Sequence, residues 1–231
     1  MNHASAKGPN QGEGGDLTLV ERAVSLIHRD LLSGALKPNT RLRVQELAQR
    51  YSIGATPIRE ALSRLSPLGL VQPLGNRGFR AKPLSRADLE DIVVARRVNE
   101  VGALRRAMEL GNADWEAAIV GALYRLKAAL QRNAGEDGQE VAEFDHSHKT
   151  FHMTLIAACD SGRLLELSDM LYDQACRYRQ IMMRTVRLTG DFYDEHARLA
   201  EKVLARDMEG ACAQLSCHLG ISLSVVYPGT G

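Results

Sequence analysis

Four of the seven histidines in this 231-residue chain stand where helical spacing turns them toward an apolar interior. His148 and His152 are four residues apart, one turn along the same helix face, the spacing that two ligands need to share one metal ion. Their face also carries Val141, Phe144, Phe151, Leu155 and Cys159. His196 shares a face with Tyr193, Ala200 and Val203, and His218 shares one with Leu215, Ile221 and Val225. A lone inward histidine is ordinarily a satisfied core residue. Four of them from three helices need a common partner, because each buried nitrogen left unpaired costs about 1–3 kcal/mol. A shared divalent metal supplies that partner; the alternative is a histidine-lined, metal-free organic pocket.

A second inward feature is Arg96 with Glu100, on the face that carries Leu89, Ile92, Val93, Ala103 and Ala107. A guanidinium on an apolar face can clamp a carboxylate bidentately, so the pair marks a candidate effector site. The other readings are an ion pair within the helix or an arginine at a dimer interface. Arg179 and Arg184, on a later helix, are further candidates, and the Met182-Met183 pair reads as core. His3, His28 and His146 carry no comparable pattern.

Composition favours a helical scaffold for these residues. Hydrophobic residues make up 45% and charged residues 25%, enough to bury a core and unlike a disordered chain. Aromatics are only 5%, which suits helices better than a β-sandwich. No apolar run approaches the roughly 20 residues that cross a bilayer. Residues 1–15 read as a disordered tail without the apolar stretch of a secretory signal. The cysteines, at 159, 176, 212 and 217, form no C-x-x-C pair and read as reduced thiols of a cytosolic protein. Beyond Pro83-Leu84-Ser85, helices are expected over roughly 86–110, 113–133, 139–159, 163–188, 190–206 and 208–226, forming an all-α antiparallel bundle with ligand sites between its helices.

The net charge of +1 hides a split. Residues 1–84 hold 12 Lys and Arg against 6 Asp and Glu, a net +6, and residues 85–231 hold 17 against 22, a net −5. A basic module that meets a polyanion is implied. Within it, Val20, Ala23, Val24, Ile27 and Leu31 predict a helix over roughly 17–33. A short second helix follows, with Val44, Leu47, Ala48 and Tyr51 inward, then a tight turn at Ser52-Ile53-Gly54. The third helix is expected to start near Thr56-Pro57, a capping residue before a first-position proline. It buries Ile58, Ala61, Leu62 and Leu65, and its other side offers Thr56, Arg59, Ser63 and Arg64. Residues 70–74 and 79–82 flank Gly75-Asn76-Arg77-Gly78 as a hairpin. This order predicts an N-terminal winged helix-turn-helix, with the third helix meeting bases and phosphates and Arg77 and Gly78 at the wing tip.

The run Leu31-x-x-Gly-x-Leu-x-Pro38, Leu47-Ala48, Thr56-Pro57-Ile58-Arg59-Glu60-Ala61-Leu62, Gly69-Leu70-Val71 and Arg77-Gly78 resembles the DNA-binding domain of GntR-type transcription regulators, over about 16–84. The resemblance implies Thr56, Arg59, Arg77 and Gly78 as DNA contacts. The family usually carries Ser-Arg where this chain has Gly54-Ala55, and an arginine where Gln45 stands; Arg43 is a candidate substitute phosphate contact. Phe151-His152, Glu195-His196 and Asp207 followed by His218-Leu219 resemble the FCD ligand-binding domain of the FadR branch, here over 85–228. Many members bind a divalent metal through one Asp and three His. The three His map onto His152, His196 and His218, and His148 stands in the place of the Asp, with Asp145 as an alternative ligand. An added imidazole shifts preference toward zinc or nickel, and four neutral imidazoles leave +2 uncompensated, which favours an anionic ligand.

The expected protein is therefore a mainly α, cytoplasmic, homodimeric transcription regulator, a repressor in most relatives. Its winged domain reads a palindromic double-stranded operator, and a small organic acid bound near a divalent metal controls it. A metal-dependent bundle enzyme, with Glu143, Asp145 or Glu195 as base, would use the same histidines. It lacks the Glu-x-x-His pairs of di-iron bundles and leaves the basic half without a role. The reading is thus a regulator and not an enzyme.

Overall fold

The computed structural model of the chain describes residues 17–132, 138–185 and 190–228, so the expected tail lies outside the described residues. Helix α1 (Leu19–Leu32) begins where Thr18 and Glu21 form a reciprocal cap: Thr18 Oγ1 accepts from the Glu21 amide, and the Glu21 carboxylate accepts from the Thr18 amide. Its Ala23, Ile27 and Leu31 pack on Ile58, Ala61, Leu62 and Leu65 of α3 (Ala55–Leu65). Between them lies α2 (Val44–Tyr51), which buries Leu47 and Tyr51 and ends at Ser52 in the left-handed region, φ 54°. That residue makes the tight turn between the second and third helices.

Two details differ from the sequence reading. Helix α3 starts two residues early, with Gly54 rather than Thr56 at the cap position and no side-chain cap, so Thr56 is a first-turn residue with its side chain exposed. Pro57 is tolerated there because first-turn N–H groups have no helical partner. The wing is also more than a hairpin. Strands β1 (Arg41–Leu42), β2 (Val71–Pro73) and β3 (Phe79–Ala81) form an antiparallel sheet in the order β1-β3-β2. A two-residue strand has no periodicity to read, which is why β1 escapes a sequence pattern.

The second half contributes α4 (Arg86–Leu110), α5 (Ala113–Arg132), α6 (Gly138–Ile156), α7 (Gly162–Thr185), α8 (Gly190–Leu204), α9 (Met208–Leu219) and α10 (Ile221–Val226). The last expected helix is thus two. At Gly220 the amide bonds back to Cys217 and His218 carbonyls, and a side chain there would strike the Arg97 guanidinium at 2.5 Å. The third expected helix stops at Ile156 rather than 159, and the chain reverses through Asp160 at φ 51°. The main core joins α4, α5, α6, α8 and α9 through residues such as Leu104, Ile119, Leu126, Phe144, Phe151 and Leu199. Among the described residues, no helix is long and apolar enough to cross a membrane.

Helix α7 also seats the DNA-binding half. Gln174 donates to the Leu68 carbonyl at 3.0 Å and Arg177 donates to the Lys82 carbonyl, while the Tyr178 hydroxyl bonds Ser85 and Asp88 at the start of α4.

The buried carboxylate of Asp30 ties α1 to α2: it accepts from Arg50 Nη2 at 2.7 Å and from the Tyr51 hydroxyl at 2.8 Å. Asp30→Ala leaves that phenol without its acceptor, a loss of about 1–3 kcal/mol. The expected result is an earlier melting transition of the DNA-binding half with the bundle's transition unmoved. An unchanged thermogram would remove Asp30 from the fold's supports.

Candidate metal centre and nucleic-acid interface

The exposed side of α3 carries Thr56, Arg59, Ser63 and Arg64 while its opposite side is fully buried. At the wing tip Gly75 and Gly78 sit at φ 57° and 96°, backbone conformations that strain other residues. A Cβ built at Gly78 meets nothing within 4 Å, so the backbone there faces open space. Arg77 is exposed, and the Arg41 guanidinium grips its carbonyl at 2.6 Å, which fixes the tip. Arg43 is also exposed but already paired with Glu46 at 2.7 Å. The domain thus exposes guanidinium groups and short polar side chains on its third helix and at a fixed wing loop, the chemistry that holds phosphates and base edges.

In the bundle, α6, α8 and α9 bring His148, His152, His196 and His218 together, each offering one ring nitrogen within 4.8 Å of the others. His152 Nε2 lies 3.3 Å from His148 Nε2 and 3.2 Å from His218 Nε2. His148, His152 and His196 are buried, packed by Phe144, Phe151 and Phe192. His196 donates from Nδ1 to the Phe192 carbonyl at 2.6 Å, which leaves Nε2 as its free nitrogen. That Nε2 is buried without a partner, as are Nδ1 of His152 and Nδ1 of His218. The Tyr193 ring lies 5.1 Å from the Lys127 ammonium and is half-buried. Val141 falls among the side chains outside the description.

Burial drives the electrostatics. Desolvation, reinforced by neighbouring rings and the positive charge of Arg179, holds His148, His152 and His218 well below the ordinary imidazole range. His196 is pushed down to about 4 for the same first reason. All four rings are therefore neutral near pH 7, the form that coordinates metal.

The other sequence candidates surround this cluster. Arg96 is buried and forks onto Glu100, Nε to Oε1 at 2.6 Å and Nη2 to Oε2 at 3.2 Å, so the intrahelical ion pair is what the structure contains. Arg179 donates to Asp145 Oδ1 at 2.8 Å and to the Tyr172 hydroxyl at 2.9 Å. Asp145 accepts on its other oxygen from Gln180, so both carboxylate oxygens face amide or guanidinium donors and the four-residue cluster contains no carboxylate. The side chain of Arg184 lies outside the described residues.

The residues fit a divalent metal on two counts. The donor set is all nitrogen, borderline in softness and stripped of water, which suits zinc or nickel. Ligands bonded at about 2.0–2.1 Å stand roughly 3.0–3.4 Å apart, and the two Nε2 spacings here are 3.2 and 3.3 Å.

Comparison with known proteins follows the same division of the chain. The family model for bacterial regulatory proteins of the gntR family matches residues 19–80, and that for the FCD domain matches residues 91–220. The HTH-type transcriptional regulator BphR of Paraburkholderia xenovorans is 32% identical over 209 residues, covering 90% of this chain and 85% of its own. The chain belongs to the GntR family. The HTH-type transcriptional repressor GlaR of Escherichia coli is also 32% identical, over 87% of this chain and 92% of its own. Among solved structures, E. coli McbR/YncC matches with a TM-score of 0.77 at 20% identity, over 92% of this chain and 98% of that one, which supports the fold. This GntR protein is thus a DNA-binding transcriptional regulator and not an enzyme.

Sequence patterning missed Tyr172, whose hydroxyl lies 2.5 Å from His148 Nδ1, and His28, whose Nε2 lies 2.8 Å from Asp173. A tyrosine in a helix looks like core, and no local signal marks a partner 145 residues away.

The depressed imidazole pKa values fix a pH dependence for this GntR regulator without added metal. Unfolded histidines bind protons near 6.5, whereas native His196 takes one only near 4 and His148, His152 and His218 are held well below the ordinary imidazole range, so below pH 6.5 the unfolded state holds more protons. Stability is then full above pH 6.5 and falls as the pH drops toward 4. Melting temperature measured in steps across that window should decline steeply; a level profile down to pH 4 would show that the rings are solvated.

Proposed function

We propose that this GntR regulator responds to a small organic acid bound beside a divalent metal, zinc or nickel, held by His148, His152, His196 and His218. The observation that carries the reading is the buried, unpartnered Nε2 of His196 within a ring of neutral imidazoles. In the tautomer whose Nδ1 carries the proton toward Tyr172, His148 presents its Nε2 lone pair toward His152. A metal held there by His148, His152, His196 and His218 would supply a fixed positive charge. The protein does the rest: Arg96 is paired with Glu100 and Arg179 with Asp145, so the surrounding cations are already neutralised. The +2 of the metal is the charge left over, and an anion answers it.

The DNA-binding residues proposed are Arg59, Arg64, Thr56, Arg77 and Gly78, with Arg43 available once released from Glu46. A palindromic operator read by a cytoplasmic homodimer, released by its effector in the manner of a repressor, completes the reading. Val94 and Val98, exposed on one side of α4 at 58% and 77%, and Val120 and Tyr124 on α5 supply apolar surface for a second copy. Effector and operator must favour different states of that dimer, since equal affinity for both shifts nothing.

Elemental analysis of protein purified without a histidine tag should find one metal per chain, and His196→Ala should abolish it. Loss in Asp145→Ala with retention in His148→Ala would hand the fourth position to the carboxylate. No metal under any loading condition would leave a purely organic pocket. At the other end, Arg59→Ala should weaken binding to duplexes selected from a random pool by about 1–3 kcal/mol, with helical content intact. Unchanged affinity in gel-shift titrations at fixed salt would place Arg59 outside the interface.

A further inference from the structure

Helices α6 and α7 carry two neighbouring pairs that face each other. On the inside, His148 Nδ1 meets the Tyr172 hydroxyl at 2.5 Å. One residue further along each helix, Lys149 Nζ meets Asp173 Oδ1 at 2.7 Å. The other oxygen of Asp173 accepts from His28 Nε2, on α1 of the DNA-binding half, at 2.8 Å. Lys149 also bonds Asp169 at 2.8 Å and lies 5.7 Å from the Tyr172 ring centre. Among the described residues, Asp173 is the one side chain hydrogen-bonded to both the bundle's α6 and the DNA-binding half. Its carboxylate is largely buried, whereas His28 and Lys149 keep about a quarter of their side chains exposed.

We propose that His28, Lys149 and Asp173 are positioning residues that couple the histidine cluster to the seating of the DNA-binding domain. The inference rests on the cluster being the regulatory site. His148 and Lys149 are consecutive on α6, and Tyr172 and Asp173 are consecutive on α7, so the inner pair cannot shift without shifting the outer one. Packed helices in switching proteins slide by about 1–2 Å. A slide of that size carries a 2.7 Å bond past hydrogen-bond range, so the outer pair holds in one register of α6 on α7 and opens in another. When it opens, Asp173 loses its lysine and the seat of His28 changes with it. Among the described residues, the other hydrogen bonds from α7 side chains to the DNA-binding half, from Gln174 and Arg177, go to main-chain carbonyls and involve no residue of α6, so they hold the domain without reporting on the cluster.

Hydrogen–deuterium exchange of the full-length protein, with and without zinc, tests the coupling. In the wild type zinc should slow exchange in α6, α8 and α9 and change exchange across α1 by about fivefold or more, the lower end of ordinary coupling between sites. His28→Ala, a change at a partly exposed residue, should keep the zinc response of the bundle and lose that of α1. Asp173→Asn should do the same, and His28→Gln, whose amide can still donate to Asp173, should restore it. An α1 response equal to wild type in both His28→Ala and Asp173→Asn overturns the coupling. So does a wild type in which zinc protects the bundle but leaves α1 unmoved. Absence of any zinc effect on the wild-type bundle overturns the metal reading, and the coupling with it.

Discussion

Four neutral imidazoles buried against one another are the constraint to which the rest of the bundle answers. Each ring carries one donor and one acceptor, and the protein satisfies only part of that demand: Phe192 takes the Nδ1 proton of His196, and Tyr172 bonds Nδ1 of His148. The remaining nitrogens converge on one point or lie buried without partners. Apolar packing by Phe144, Phe151 and Phe192 makes that arrangement worse as a set of polar groups and better as a ligand set, because desolvation keeps the rings unprotonated. A core built for stability alone would place leucines there.

The charged residues around the cluster obey the same constraint. Arg96 and Arg179 are buried, and a free guanidinium beside four imidazoles would be costly, so each is paired within reach of its own helix or the next. Both guanidiniums also lie over Tyr172, at 5.5 and 4.9 Å from its ring centre. Tyr172 is therefore the meeting point of the cluster and its charged surround: its hydroxyl touches His148 and Arg179, and its ring faces three cations. Burial holds the phenol well above its ordinary pKa, so it remains a neutral hydroxyl able to take a bond from Arg179.

How much of this was legible in the sequence depended on the range of the interaction. The inward set of histidines followed from helical period alone, and so did the cores of α1 and α3, because periodicity is a local property that burial enforces. Arg96 and Glu100 were legible as a pair, since spacing four permits an ion pair and an effector clamp alike, and the structure holds them hydrogen-bonded to each other. What escaped was set by tertiary geometry. The need for a glycine at 220 depends on where Arg97 lies, β1 depends on β3, and Asp145 turned to Arg179 and Gln180 because α7 passes beside it. His28 carried no signal because its partner belongs to the other half of the chain.

That last contact ties the two halves together through one helix. Helix α7 turns Tyr172 and Arg179 toward the histidines and Asp173, Gln174 and Arg177 toward the DNA-binding half. A helix is stiff along its axis, so a displacement imposed on one side is not absorbed before it reaches the other. The proposed coupling therefore needs no long chain of intermediates, only a single helix whose two faces have different partners.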